Sequence, residues 1–166
     1  MQYIRALIMH DAPDIATAIN NKRVQDNLRD GIPFPYIAAD AESYIQGVLD
    51  APVDSQYTFA IHFDGKAIGC IGVFRGSNVH ARTAEMGYYI AEPYWGRGIM
   101  SNAVREVCAY VFEKTDILRI YAEPFASNAA SCKVLEKAGF SWEGTLRKNA
   151  VKNGQVLDMQ MYALVK

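Results

Sequence analysis

The sequence predicts one α/β domain, residues 1–166, with a mixed, mostly antiparallel central sheet and helices on both faces. The predicted order is β-αα-βββ-α-β-α-ββ. Three observations predict this class. Strand-like and helix-like apolar patterns alternate along the chain. The dipeptides Asp64-Gly65 and Asn153-Gly154 separate pairs of β-rich runs, as in hairpins. About half of the residues (51%) are apolar, which is enough for a sizeable core.

Each element follows from a local pattern. Strands are predicted where β-branched and aromatic residues cluster between turn signals, and helices where apolar residues recur every three or four positions. The predicted strands are residues 2–9, 56–63, 66–74, 82–91, 117–125, 141–152 and 155–166. The predicted helices are residues 10–21, 22–28, 40–50, 98–114 and 127–140. Asp11 is expected to cap the first helix, Ser127 or Asn128 the last, and Gly139 to end it in a left-handed turn.

The composition favours a protein that binds its ligands locally. The 17 basic and 18 acidic residues leave a formal charge of −1, so no overall field recruits nucleic acid or an anionic membrane. The three cysteines and three histidines show no ligand spacing, which predicts free thiols and no metal. Arg5 interrupts the first apolar run, and no stretch approaches the roughly 20 apolar residues of a membrane span. We therefore expect a cytoplasmic protein without an export signal.

The stretch "EPYWGRGIMSNAV" places Gly96, Arg97 and Gly98 at the mouth of the helix 98–114. A helix N-terminus exposes unpaired N–H groups and a partial positive charge, so it attracts phosphate wherever the backbone can come close. Glycine lacks the Cβ atom that would hold an anion away, and arginine can add a charge-assisted contact. The stretch predicts a pyrophosphate cradle. The alternative is that the glycines only shape a tight turn, as a lone G-x-G often does.

The stretches "AEMGYYIAEPYWGRGIMSNAV" and "NAASCKVLEKAGF" together resemble the GNAT superfamily of acetyl-CoA-dependent N-acetyltransferases, in particular its ribosomal-protein N-terminal acetyltransferase branch. The resemblance covers nearly the whole chain and implies acetyl-CoA as cofactor. The family's pyrophosphate pattern, Gln/Arg-x-x-Gly-x-Gly/Ala, corresponds to residues 95–100, with departures at Trp95 and Met100. Because the cradle is mostly backbone, we expect it to survive, with Trp95 packing rather than hydrogen bonding. The implied cofactor-binding residues are Tyr89, Ile90, Trp95, Gly96, Arg97, Gly98, Ile99, Met100, Ser101, Asn128 and Ser131.

Acetyl transfer to an amine requires a base, because an amine near its usual pKa is mostly protonated at neutral pH. Glu85 and Glu123 are the two candidates. By resemblance, both positions recur as candidate bases among the relatives. Glu85 is slightly preferred, because it shares a strand face with Gly87, which leaves room for a ligand. The alternative for each is a partly solvated strand carboxylate. Backbone N–H groups around Tyr89 and Ile90 are expected to polarise the thioester carbonyl, as the family's interrupted strand does.

The departing thiolate needs a hydrogen-bond donor. Many relatives carry a tyrosine where this chain has Leu135, whereas the ribosomal-protein branch resembles Asn-x-x-Ser, here Asn128 and Ser131, one helical turn apart. Ser131 is therefore predicted to donate to the sulfur, and Asn128 to hold the pantetheine arm or a water. The alternatives are a plain N-cap for Asn128 and a small packing residue for Ser131.

The residues that would bind the acetyl acceptor have no motif of their own in the sequence. By resemblance, Phe34, Tyr36 and Tyr88 wall it, although aromatic residues are more often core. Asp158 and Glu143 either attract a cationic amine or lie on a sheet edge. The expected acceptor is a peptide or protein N-terminus or a small amine, and a homodimer is expected of such relatives. Two other function classes stay open: a catalytically silent acyl-CoA-binding module, and nucleotide binding without a thioester.

Overall fold

The computed structural model describes residues 2–166. Its strands are β1 (Ile4–Ala6), β2 (Gln56–Phe63), β3 (Lys66–Arg75), β4 (Thr83–Ile90), β5 (Arg119–Ala122), β6 (Ser141–Lys152) and β7 (Gln155–Val165). Its α-helices are α1 (Ala12–Ile19), α2 (Lys22–Gln25), α3 (Ala38–Leu49), α4 (Ile99–Lys114) and α5 (Ala129–Lys137). The seven strands form one sheet in the order β1-β2-β3-β4-β5-β7-β6, and only β4 and β5 pair in parallel. The predicted fold class is confirmed, and the order of elements agrees with β-αα-βββ-α-β-α-ββ apart from the short helix α2, which makes three helices between β1 and β2.

The sheet separates two apolar cores. Successive side chains of a strand point to opposite faces, so the neighbours Ala60 and Ile61 enter different cores. Ile61 packs with the apolar faces of α4 and α5, including Val104 and Leu135, whereas Ala60 packs with α1 and α3. Helices therefore cover both faces, as the sequence predicts.

The turn residues adopt the conformations that their sequence signals require. Asp64 and Gly65 have φ angles of 48° and 79°, and Asn153 and Gly154 have φ angles of 49° and 75°. These left-handed conformations match the tight hairpins between β2 and β3 and between β6 and β7. Gly139 follows α5 with φ 96°, as expected for a left-handed helix end.

Several predicted elements are shorter in the structure, among them the following three. β1 stops at Ala6, because residues 9–11 form a 3₁₀ turn. α2 ends at Gln25 and gives way to turns before residue 28. β5 ends at Ala122, two residues before Pro124, which has no N–H to donate to a sheet.

The prediction that Asp11 caps the first helix is confirmed for its position but not for its side chain. Asp11 occupies the N-cap position of α1, but its side chain makes no capping hydrogen bond. Its carboxylate instead accepts from the Arg5 guanidinium (2.7 Å to Nη1) and from the backbone N–H of Ile8 (3.0 Å). The buried carboxylate therefore ties β1 to the start of α1, and its pairing with arginine satisfies the charge.

The strands β4 and β5 diverge after a short contact, and this divergence positions the site. Their parallel register joins residues 83–85 to residues 119–121 and stops there. β4 stays paired with β3 as far as Ile90, and β5 stays paired with β7. A gap therefore opens in the middle of the sheet.

The described part of the chain contains no disulfide, no membrane-spanning helix and no metal-ligand cluster. Cys70, Cys108 and Cys132 are all free thiols. None of the helices within residues 2–166 combines the length and the apolar character that crossing a bilayer demands. Within the same range, no three His, Cys, Asp or Glu side chains cluster closely enough to hold a metal ion.

Candidate active site

A cavity of about 680 Å³ opens where β4 and β5 diverge, a size typical of small-molecule sites. Its lining comes from both faces of the sheet. Tyr88 packs toward α4 and α5, while Glu85 and Gly87 lie on the opposite face of β4 with Tyr89, which packs toward α1 and α3. The cavity therefore passes through the sheet. We call its α4–α5 end, lined by residues 94–96 and 98–101 and by α5, the donor side. We call its other end, lined by Arg29, Phe74, Glu85 and Glu123, the acceptor side.

The donor side carries the predicted glycine cradle. Gly96 and Gly98 have φ angles of 74° and 75°, and a Cβ atom on either would meet no atom within 4 Å. The first intrahelical hydrogen bond of α4 is donated by Asn102 to the carbonyl of Gly98 (3.2 Å), so the N–H groups of residues 99–101 precede the helical ladder. Open space beside unpaired helix amides fits a diphosphate. The glycines also shape the turn, because both need a left-handed backbone.

Trp95 and Arg97 of the cradle each contact specific neighbouring groups. The Trp95 indole N–H donates to the carbonyl of Ile90 (2.8 Å), which corrects the expectation that Trp95 only packs. The Arg23 guanidinium lies 5.5 Å from the centroid of the Trp95 ring, and that of Arg97 lies 5.3 Å from the Tyr94 ring. All the predicted cofactor-binding residues except Arg97 line the cavity.

Only one of the two predicted thioester-polarising amides faces the gap. Ala91 donates its N–H to Ile68 on the β3 side (2.8 Å), and the Trp95 indole reaches the Ile90 carbonyl from the other side. In an antiparallel strand, the N–H and C=O groups of successive residues point alternately to the two neighbouring sides. The N–H of Tyr89 is therefore directed toward β3, and that of Ile90 toward the gap.

Ser131 has a hydroxyl partner that the sequence did not predict. The Tyr88 hydroxyl lies 2.7 Å from Ser131 Oγ, and both side chains line the cavity. Burial raises the pKa of Tyr88 above its ordinary value, which itself lies well above neutral pH, and the phenol is protonated at neutral pH. Asn128 caps α5 by accepting from the Ser131 N–H (3.2 Å) while also lining the cavity. Tyr88, predicted on the acceptor side, thus lies on the donor side of the gap.

The two candidate bases lie together on the acceptor side and share one cation. The Arg29 guanidinium forms an ion pair with Glu85, and its Nη2 lies 3.4 Å from Glu123 Oε2. The side chain of Glu85 is 27% exposed and that of Glu123 is 18% exposed. Burial raises the pKa of Glu123, the Glu85 carboxylate raises it further, and the Arg29 charge opposes both effects.

The acceptor wall differs from the predicted one. Neither Phe34 nor Tyr36 is among the residues that line the cavity. Tyr36 belongs to the core under α1 and α3, and Phe34 is largely exposed. The wall instead includes Phe74 of β3, which pairs with Glu85 in the sheet register and lies beside Gly87.

The two further carboxylates considered for the acceptor have other partners. Glu143 accepts from the Arg119 guanidinium (2.8 Å), and Asp158 accepts from the backbone N–H of Lys148 (2.7 Å). Neither residue lines the cavity. Both therefore fit the sheet-edge alternative.

Sequence reasoning missed the segment that follows α2. This segment contributes Asn27, Leu28 and Arg29 to the lining. The tip of the β6–β7 hairpin holds it, because Lys152 Nζ lies 2.9 Å from Asp30 Oδ1 and the Asn153 side chain donates to Asp26 Oδ1 (3.0 Å). No local pattern signals these contacts, which join positions more than 120 residues apart.

Comparison with known proteins identifies the class. Residues 3–141 match the family described as the acetyltransferase (GNAT) domain, so the chain belongs to the GNAT family. It is 39% identical over 174 residues to "Probable N-acetyltransferase YjcK" of Bacillus subtilis, covering 98% of this chain and 93% of that one. The protein is an acyltransferase, an acetyl-CoA-dependent N-acetyltransferase of the GNAT type.

Two solved structures share its fold at low sequence identity. The ribosomal-protein-S5-alanine acetyltransferase from Vibrio fischeri has a TM-score of 0.85 at 22% identity, covering 98% of this chain and 91% of that one. The spermidine N-acetyltransferase from Vibrio cholerae, solved with CoA and spermine, has a TM-score of 0.79 at 22% identity, covering 98% and 94%.

Proposed function

We propose that the protein transfers the acetyl group of acetyl-CoA directly to a primary amine, with Glu123 as the base and Ser131 as the hydrogen-bond donor at the sulfur. The observation that carries this proposal is that one cavity connects the open glycine cradle with the carboxylate pair through the sheet. Direct transfer needs such a passage, because the thioester and the amine must meet without a covalent enzyme intermediary.

The donor side has groups for each part of the cofactor. Bound acetyl-CoA supplies an activated thioester. The amides at the start of α4 would hold its diphosphate, and Asn128 and Ser131 line the cavity beside them. The N–H of Ile90 is directed into the gap, which supports its predicted role as a donor to the thioester carbonyl.

The environment of Glu123 favours it as the base over Glu85, the reverse of the sequence-based preference. An alkyl ammonium has a pKa of about 10, so a carboxylate with a raised pKa accepts its proton more readily. Glu123 is the less exposed of the pair, and its pKa is raised. Glu85 forms the closer ion pair with Arg29, which supports a positioning role.

The Tyr88–Ser131 contact supports the choice of Ser131. Either hydroxyl of this pair can be the donor, and the Tyr88 phenol, which is protonated at neutral pH, can donate to Ser131 Oγ. The serine proton is then free to point at the sulfur. The hydroxyl of Tyr88, on β4, thus lies beside Ser131 of α5. Position 135 of α5, where many relatives have a tyrosine, carries a fully buried leucine.

A second function, a silent acyl-CoA-binding module, is favoured by Leu135, which stands where many relatives have the acid tyrosine. An amine panel separates the two. The protein is incubated with acetyl-CoA and peptides beginning with Ala, Ser or Met, spermidine and small monoamines, and free thiol and acetylated product are measured. We expect amine-dependent thiol release with an N-acetylated product. Stabilisation by acetyl-CoA without thiol release from any amine would favour the silent module, and equal stabilisation by ADP would favour simple nucleotide binding.

A further inference from the structure

We propose that Arg29 occupies the place of the acceptor's cation in the free protein, and that the acceptor is a cationic amine which displaces it. This inference rests on the proposed function, because it assigns the acceptor class of the same site. Arg29 touches both carboxylates that face the acceptor side, so any ammonium that approaches Glu123 meets the guanidinium first.

The exposed fractions of the Arg29, Glu85 and Glu123 side chains indicate the side from which Arg29 contacts the two carboxylates. The Arg29 side chain is 62% exposed, whereas those of Glu85 and Glu123 are 27% and 18% exposed. The guanidinium therefore covers the carboxylates from the solvent side. It can leave into water without crossing the protein, and an acceptor can enter along the same path.

The ion pair is weak enough to exchange. Pairs between a mostly exposed cation and a carboxylate stabilise a protein only slightly, since water competes for both charges. Two carboxylates without a cation would repel each other, which is consistent with the upward effect of Glu85 on the pKa of Glu123. An ammonium from the acceptor carries the same single positive charge as Arg29, so the exchange leaves the net charge of the cluster unchanged.

Arg29 is suited to this role because a guanidinium stays protonated at all ordinary pH values. It can neutralise the carboxylates but cannot itself become the nucleophile. An acceptor amine differs in this respect, because it can pass a proton to Glu123 and then react. The backbone around Arg29 is anchored through Asp26 and Asp30 to the β6–β7 hairpin, so the side chain can move while its segment stays in place.

The test compares two probes that differ by one carboxylate. L-alaninamide carries a free α-ammonium group and no carboxylate, whereas L-alanine carries both. Binding of each to the protein alone is followed by NMR chemical-shift titration for the parent, for Arg29→Gln and for Lys22→Gln. Lys22 is a matched control, because it is an exposed cation of the same region whose partner is Asp26.

We expect Arg29→Gln to bind L-alaninamide about two- to fivefold more tightly than the parent, since an exposed ion pair no longer competes. Lys22→Gln should match the parent, and L-alanine should stay weaker than L-alaninamide in every variant. Equal affinity of the parent and Arg29→Gln for L-alaninamide would overturn the proposal. So would loss of L-alanine binding in Arg29→Gln, because Arg29 would then be a receptor for the acceptor's carboxylate. Failure of the proposed function has a different signature, namely no thiol release with any amine in the panel.

Discussion

The donor and acceptor sides of the cavity are built in different ways. The donor side depends on backbone groups that are adjacent in the sequence, at residues 96–101 and at the start of α5. The acceptor side depends on charged and aromatic side chains from the segment after α2, from β3 and β4, and from the residue that follows β5. Recognition through backbone groups would tolerate side-chain departures such as Trp95 and Met100, whereas each substitution on the acceptor side would change its chemistry. We expect cofactor binding to be robust and acceptor choice to be sensitive.

The largest expected effect on cofactor binding tests the donor side. Gly98→Val should reduce acetyl-CoA affinity about a hundredfold or more, because a branched side chain would block charge-assisted hydrogen bonds from the helix amides. Gly65→Val is the matched control. Both glycines have a left-handed φ, 75° and 79°, and a Cβ on either meets no atom within 4 Å, so both variants carry similar backbone strain. Calorimetric titration with acetyl-CoA should show normal affinity for the control, and equal losses in both variants would contradict the backbone cradle.

The next effect concerns the base. Glu123→Gln should lower kcat by about 10²- to 10⁴-fold, the usual range for a general base, with unchanged affinity for acetyl-CoA. Glu85→Gln should lower it less. Steady-state kinetics with an amine identified in the panel would measure both. A larger loss in Glu85→Gln would restore Glu85 as the base.

The pH dependence of folding stability gives an independent check on the raised pKa of Glu123. Its raised pKa means that the folded state holds the proton more tightly than the unfolded chain, so ionisation at neutral pH disfavours folding. Glu123→Gln should therefore be at least as stable as the parent at neutral pH. The difference should shrink as the pH falls through the raised pKa, because Glu123 becomes protonated. Thermal unfolding at a series of pH values would show this, and a gap that widens toward acid pH would contradict the assigned shift.

A smaller effect is expected at the sulfur. Ser131→Ala should slow turnover by about ten- to a thousandfold, and Tyr88→Phe should slow it less. If Tyr88 acts through Ser131, the double variant should be little slower than Ser131→Ala alone. Rates at saturating substrates test this coupling. Fully additive losses would show that Tyr88 acts separately, and an unaltered rate in Ser131→Ala would assign the proton to water.

The smallest effect concerns side-chain charge on the donor side. Lys133 is an exposed residue of α5 that lines the cavity. Lys133→Gln should weaken acetyl-CoA binding by only about two- to fivefold, and less at high salt, because exposed charges are screened. Lys114→Gln, at the far end of α4, serves as the control. A loss as large as that of Gly98→Val would mean that side chains rather than backbone hold the cofactor.

The same contrast explains how much the sequence could predict. The glycine turn before α4, the hairpins and the Asn128 cap are encoded within a few residues, so local patterns predicted them. Arg29 meets Glu85 and Glu123 across 56 and 94 residues of chain, and no local pattern encodes such a contact. Phe34 and Tyr36 were predicted to wall the acceptor side from the resemblance of their loop to that of relatives. The alternation of side chains along each strand could not reveal that Phe74 shares a sheet face with Glu85, because this depends on how the strands pair.

The central claim is that the backbone amides at the start of α4 hold the diphosphate of acetyl-CoA. Amide hydrogen exchange of the protein with and without acetyl-CoA tests it most directly. We predict that acetyl-CoA slows exchange at residues 96–101, while residues 64–65 of the β2–β3 turn keep their rate. Exchange at residues 96–101 that is unchanged by saturating acetyl-CoA would contradict the account.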